Sequence, residues 1–388
     1  MALTLSQLCI NTEKTYSLKL EAGKNGMDNT VRWVHMVEDS QVPDFLHGNE
    51  LVFTTGIGNH NTEWLLNFVK SLYERSAAGV VVNIGPYIKE IPPQLIVYCE
   101  KNDFPLFSMP WETRIIDITY EFCRRIINNE RNEQSAAEAF RNLIFNPEVK
   151  SGYANTLERC GFHTVNSFVV ISMSFKKAGR SIINKVLNKY NTKLLKIIKK
   201  SSYPTIQFIQ DSCLTVIRQN SSDEEISFIV NEIEKSFEHI QADIEFFIGI
   251  STIKKEHYSV CELYKQAVAA RRVAELENAN SRNYSDIGIF KLITRIENKE
   301  ILEDYVEGII GKLIKYDNEN NSGLLNMLRQ YLYASGSIQE VAAKTGVHRN
   351  TVNYKIKQIK EILDSELKDE QKMNFLLALH ILDLLSLS

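Results

Sequence analysis

Arg349, Asn350, Thr351 and Asn353 stand within five residues at the head of RNTVNYKIKQIKEIL, a run with helical spacing. Arginine can donate two hydrogen bonds to the guanine edge in the major groove, and asparagine can pair bidentately with adenine. Thr351, Lys355 and Lys357 suit phosphate contacts, which position a protein on DNA without reading it. His348 and Tyr354 complete the cluster, and Ser337 opens the preceding helix. From Ser337 to Leu363 there are five Lys or Arg against two acids, whereas Asp364 to Ser388 has two Lys against five acids. Positive charge is therefore concentrated where a groove would lie. A second polar set surrounds the segment GNELVFTTG: Glu50, Thr54, Thr55 and Gly56, with Asn83 at the end of a neighbouring apolar run. Threonines and a glycine at the carboxyl end of a strand are where α/β domains tend to bind ligands. Glu50 could accept from an amine or amide, so these five residues form a candidate small-molecule site.

The elements that must position the first cluster are legible. LLNMLRQYLYASG reads as a helix ending at Gly336, and Ser337 caps a second helix, IQEVAAKT. Val341 faces the core, Ala342 is small where helices cross, and Gly346 supplies the positive φ of a tight turn. Val347 points inward. In the third helix, His348 to about Leu363, residues Val352, Ile356, Ile359 and Leu363 recur at spacings of four, three and four, forming one apolar stripe. Arg349, Asn350, Asn353, Lys357 and Lys360 fall on the neighbouring face.

Upstream, residues 1–125 alternate short apolar runs (LVFTTGIG, GVVVNIG, FPLFSMPW) with helical patterns, which predicts an α/β domain. Residues 126–158 read as linker helices. Residues 159–290 follow the order β-α-β-β-α-β-α, expected of a ferredoxin-like sheet with a hairpin at Gln210, Asp211 and Ser212. Residues 291–322 read as a helical linker ending in the polar run KYDNENNSG, and 323–388 as an all-helical domain closed by FLLALHILDLLSLS.

Composition narrows the function classes. The net charge of −3 gives no global pull toward polyanions, so any such binding must be local. The six cysteines are scattered without a CxxC pair, which argues against a zinc ribbon or a disulfide scaffold and for reduced thiols. MALTLSQLC lacks the pattern of a signal peptide, and no uncharged apolar run reaches the length of a membrane span, so a cytoplasmic protein is expected. No GxxxxGK[ST], HExxH or GxSxG occurs. Neither a metal, a cofactor nor a catalytic residue is expected.

AAKTGVHRNTVNYKIKQIKEIL resembles the C-terminal domain of the PucR family of bacterial transcriptional regulators, keeping His348, Arg349, Asn350, Thr351, Val352 and Tyr354 of its signature. It departs at Lys355, where the family usually has Arg; a phosphate contact survives that change and a bidentate one does not. The segment around GNELVFTTG is similar to the family's N-terminal domain, and the middle order of elements to its degenerate GGDEF-like domain. A working diguanylate cyclase needs glycines and paired carboxylates in the hairpin. Gln210-Asp211-Ser212-Cys213 offers one carboxylate and no glycine. The resemblance implies a multidomain regulator, a sensor joined to a DNA-binding helix-turn-helix. It would activate a catabolic operon, for purines or amino acids, in response to a metabolite. Its partners would be a double-stranded DNA operator, a small-molecule effector, a second copy of the chain and RNA polymerase. The competing expectation is an α/β enzyme or nucleotide-binding protein with a helical appendage.

Overall fold

The computed structural model describes residues 3–39, 46–57, 62–146, 153–163, 165–176, 197, 203–237, 245–255 and 260–387. The chain begins with β1 (Leu3–Thr4), α1 (Leu5–Leu8), α2 (Thr12–Tyr16), β2 (Lys19–Ala22), β3 (Thr30–Val31), β4 (Trp33–Met36) and β5 (Glu50–Thr54). It continues through α3 (Thr62–Glu74), β6 (Gly79–Ile84), α4 (Pro93–Lys101) and β7 (Leu106–Pro110). Five strands form one sheet in the order β2-β7-β6-β5-β4. β4 to β7 run parallel, and β2 is an antiparallel edge. Every residue of β5 is buried, as a strand covered on both faces requires. Leu51 and Phe53 enter the core on one face with Val34 and Val81, while Val52 packs on the other with Val80, Val82 and Leu72.

Helix α5 (Ile115–Phe145) runs through the expected linker. Its first half lends Ile118, Phe122 and Ile126 to the N-terminal core; its second half lends Ala136, Ala139, Phe140 and Leu143 to the next one. Leu157 of α6 (Tyr153–Arg159) joins that second core. Within the expected linker, α5 and α6 are thus part of the cores they connect rather than a spacer, because α5 has an apolar face at both ends.

The middle region contains β8 (Ser167–Lys176), β9 (Thr205–Gln210), β10 (Cys213–Gln219), α7 (Asp223–Phe237), β11 (Glu245–Ile250), β12 (Lys254–Lys255), α8 (Val260–Leu276) and β13 (Ser281–Asn283). The sheet order is β13-β11-β8-β10-β9, with β12 also on β8. β11, β8, β10 and β9 are antiparallel neighbours, and β13 lies parallel to β11. Asp211 and Ser212, both at positive φ, make the two-residue turn of the hairpin. The helix expected near 181–202 falls, but for residue 197, outside the described residues.

Six helices complete the chain: α9 (Phe290–Ile293), α10 (Lys299–Asn320), α11 (Leu324–Tyr333), α12 (Ile338–Thr345), α13 (Arg349–Leu363) and α14 (Asp369–Ser386). The polar run Lys315–Gly323, expected to be a linker, is mostly the last turns of α10; Asn321 and Gly323 turn the chain in left-handed conformations. Asp317 within that run accepts from the N–H groups of Leu324 and Leu325 at 2.8 and 3.1 Å and from the Ser322 hydroxyl, capping α11 across the turn. Burial pushes its carboxyl up, but these bonds outweigh it and hold the group below the ordinary aspartate value. Leu302, Val306, Ile310 and Leu313 of α10 share one core with Leu328, Val341, Val352, Ile359 and Leu379, so the boundary expected at 322 does not divide two cores. Ala269, Ala270 and Val273 of α8 belong to the same core, while Leu263 and Ala267 of α8 pack under the middle sheet. One helix therefore serves both regions, and Arg272 adds a hydrogen bond to the Leu384 carbonyl at 2.9 Å.

Candidate functional site

In the helix-turn-helix, Ser337 Oγ accepts from the Glu340 N–H at 3.3 Å, so this residue is a cap. Gly346 ends α12 at φ +69°, and nothing surrounds a Cβ there, so the backbone angle alone selects glycine. His348 is the N-cap of α13: its Nδ1 accepts from the Asn350 N–H at 3.2 Å, which fixes the imidazole beside the helix start. Val352, Ile356 and Ile359 are buried, and Leu363 is half-buried at the edge of the same stripe. The pair Arg329–Asp383, bonded at 2.6 and 2.7 Å, ties α11 to α14 behind them.

That stripe turns Arg349, Asn350, Thr351, Asn353 and Tyr354 to the surface, all exposed, with Tyr354 at 68%. The side chains of Arg349, Asn350, Thr351 and Asn353 make no hydrogen bond or ion pair among the described residues, and no acid occurs between Arg349 and Lys360. A helix start with unengaged donors and amides suits a groove. The lysines behave differently. Lys355 is half-buried and donates to the Ser322 carbonyl at 2.9 Å, so it anchors α13 to the turn before α11 rather than facing a phosphate. Lys344 pairs with Glu340 at 2.7 Å, Lys360 with Glu366 at 3.0 Å, and Lys357 loosely with Glu361 at 3.9 Å. The positive face counted in the sequence is thus narrower in space, and Arg349 carries its centre.

The second candidate set does not converge. Glu50 begins β5 and Thr54 ends it, about 13 Å apart along a strand. Glu50 is buried; its Oε1 accepts from the His47 N–H at 2.9 Å, and its Oε2 has no partner. Asn83 donates to the Pro110 carbonyl at 3.1 Å and, following Val82 in a strand, faces away from the side that Thr54 shares with Val52. Thr54, Thr55 and Gly56 do stay together, but around a residue sequence reasoning missed. The N–H and hydroxyl of Thr55 donate to Glu38 Oε1 at 2.9 and 2.7 Å. The Thr54 hydroxyl and the Gly56 N–H donate to Glu38 Oε2 at 3.0 and 2.9 Å. Both oxygens of one carboxylate are held by four donors, a backbone nest extended by two hydroxyls. Gly56 sits at φ +72°, and a Cβ on it would come within 2.7 Å of Ile88. The acidic pair Glu38–Asp39 after an edge strand was the available signal; nothing local tied it to a turn 16 residues on.

No helix among the described residues is long and apolar enough to cross a membrane. No group of three or more metal-ligating side chains is present among them.

Comparison with known proteins gives matches at both ends. Residues 9–126 match the purine catabolism regulatory protein-like family, and residues 324–381 match the PucR C-terminal helix-turn-helix domain. The chain is 29% identical over 135 residues to the purine catabolism regulatory protein of Bacillus subtilis (strain 168), covering 34% of this chain and 25% of that one. It is 27% identical over 147 residues to the proline-responsive transcriptional activator PutR of the same organism, covering 37% and 36%. It is 23% identical over 113 residues to the DNA-binding transcriptional activator AdeR, also of that organism, covering 28% and 27%. These matches thus span between a quarter and little more than a third of each curated relative. Among solved structures, a regulator of polyketide synthase expression from Bifidobacterium adolescentis aligns over 63% of this chain and 90% of that one, at 13% identity and a TM-score of 0.31. A turn built on Gly346, a recognition-type helix start and a parallel sheet bearing the Thr-Thr-Gly turn thus coincide with two matched segments: the chain carries a PucR-like N-terminal domain and a PucR C-terminal helix-turn-helix domain.

Proposed function

We propose that this chain is a sequence-specific DNA-binding transcriptional regulator in which the N-terminal α/β domain senses a small molecule and α13 reads the operator. The observation that carries the reading is the start of α13, where Arg349, Asn350 and Asn353 are exposed and unengaged on a helix whose opposite stripe is buried. Arg349, Asn350 and Asn353 reach base edges; Thr351 and Lys357 contact phosphates; Ser337, His348 and Lys355 hold the reading helix in place. Tyr354, largely exposed, lies along the groove wall.

The middle sheet is read as a ferredoxin-like, degenerate GGDEF-like domain. The neighbour order β11-β8-β10-β9 and the tight hairpin support this, and the turn residues Asp211 and Ser212 speak for a spacer rather than a cyclase. α8, packed against both the middle sheet and the helical body, is the mechanical path between sensor and reader. The relatives named for purine catabolism and for a response to proline support activation of a catabolic operon by a nitrogen-containing metabolite. A homodimer placing two reading helices on two half-sites suits the small charge of each.

The test is binding of the full chain to DNA upstream of its own and adjacent genes over a range of salt concentrations. Specific binding should weaken steeply with salt, and Arg349→Ala should weaken the specific site by about 1–3 kcal/mol and relax specificity at the base it reads. An affinity indifferent to salt removes the reading.

A further inference from the structure

Glu38 fills the Thr54–Gly56 cradle as a ligand would. We propose that this cradle is the binding site for the carboxylate of the small-molecule effector, and that Glu38 is a tethered stand-in which the effector displaces. The proposal rests on the reading of the N-terminal domain as the sensor.

Three observations carry it. First, the cradle is complete for one planar anion: two N–H and two O–H groups meet both oxygens at 2.7–3.0 Å, all within hydrogen-bond range. Joining the end of β4 to β5 needs less, since the Val37 N–H already bonds the Phe53 carbonyl at 2.9 Å. Second, the cradle lies at the carboxyl end of a central parallel strand, the rim where open α/β sheets take ligands. Third, the two sides differ in fixity. Thr54 and Thr55 are 0% and 6% exposed, and Gly56 is wedged by Ile88 at an angle only glycine takes easily, so the donors keep their places when the anion leaves. Glu38 is half-buried and follows β4, an edge strand bonded to β5 alone among the described strands. It can withdraw without opening the sheet.

A free carboxylate that takes the cradle releases Glu38 and Asp39 from the end of β5, while Val37 stays bonded to the Phe53 carbonyl. The signal is the loss of that tether, while the cradle stays filled in both states. The tethered carboxylate competes at high effective concentration, so it lowers the apparent affinity for the free one.

The full chain is compared as wild type, Glu38→Ala and Glu38→Ala/Thr55→Val, with acetate as probe against chloride at matched ionic strength and inorganic phosphate as comparator. Calorimetry should show saturable acetate binding to Glu38→Ala, roughly tenfold or more tighter than to the wild type, and its loss in the double variant. Acetate-loaded Glu38→Ala should differ several-fold from the wild type in DNA affinity, because its cradle is full but its tether is gone. Absence of acetate binding in Glu38→Ala, or a preference for phosphate, overturns the proposal. So does acetate restoring wild-type DNA affinity, which makes Glu38 a structural staple. Glu38→Gln keeps the side-chain volume and replaces the alanine variant if that one does not fold, with the same expected directions. A wild type that binds no DNA at all breaks the regulator reading, while the calorimetric arm still decides the cradle.

Discussion

The turn after β5 and the start of α13 are both short stretches of small polar residues at the end of an element, and they end in opposite conditions. At Thr54–Gly56 four donors converge on Glu38 from within the same domain. At the start of α13 the backbone is capped by His348, yet the side chains of Arg349, Asn350, Thr351 and Asn353 are left bare. The difference teaches where stability and recognition separate. Donors satisfied internally hold the fold for as long as their partner stays; donors left at the surface are available at once to something else.

Five substitutions break or sharpen that contrast. Ile359→Ala removes the buried support of the reading helix and should destabilise the helical body by about 2–5 kcal/mol, lowering its melting temperature and DNA binding together. Thr55→Val deletes the 2.7 Å hydroxyl bond to Glu38 and should cost about 1.5–3 kcal/mol in denaturant unfolding of the N-terminal domain. If it costs nothing, the cradle is not a stability element and the contrast fails. Arg349→Ala should leave thermal stability unchanged and weaken specific binding by about 1–3 kcal/mol, read by fluorescence anisotropy on matched and mismatched sites. The smallest effects come from the lysines. Lys357→Met should reduce the slope of log affinity against log salt by about one, equally on all sequences. Lys355→Met should leave that slope unchanged and cost about 1 kcal/mol of stability through the lost bond to the Ser322 carbonyl.

The helix-turn-helix was legible because its information is local. Gly346, the cap at Ser337 and the Val352–Ile356–Ile359 stripe each act within a few residues, and each does in space what its spacing says. The polar run at 315–323 misled for the opposite reason: Asp317, Asn320 and Asn321 look like linker composition, but Asp317 is spent on capping the next helix through space. Likewise α5 reads as a charged connector until its two apolar ends meet two different cores. Lys355 and Lys357 are two residues apart and chemically identical, yet one reaches back to Ser322 and the other faces solvent.

The sequence by itself determined the period of each helix, the α/β character of the N-terminal domain, the make-up of the hairpin turn and the chemistry offered at Arg349 and Asn350. All of these follow from residue types within one or two turns or strands. Only the tertiary structure decided that Glu50 and Asn83 stand apart from Thr54, that three of the five basic groups are met by acids, and that Glu38 closes on a turn 16 residues away. Those outcomes depend on which chain segments the packing brings within hydrogen-bond reach, and a bond of 2.7 Å between distant residues leaves no periodic trace in the residues that make it.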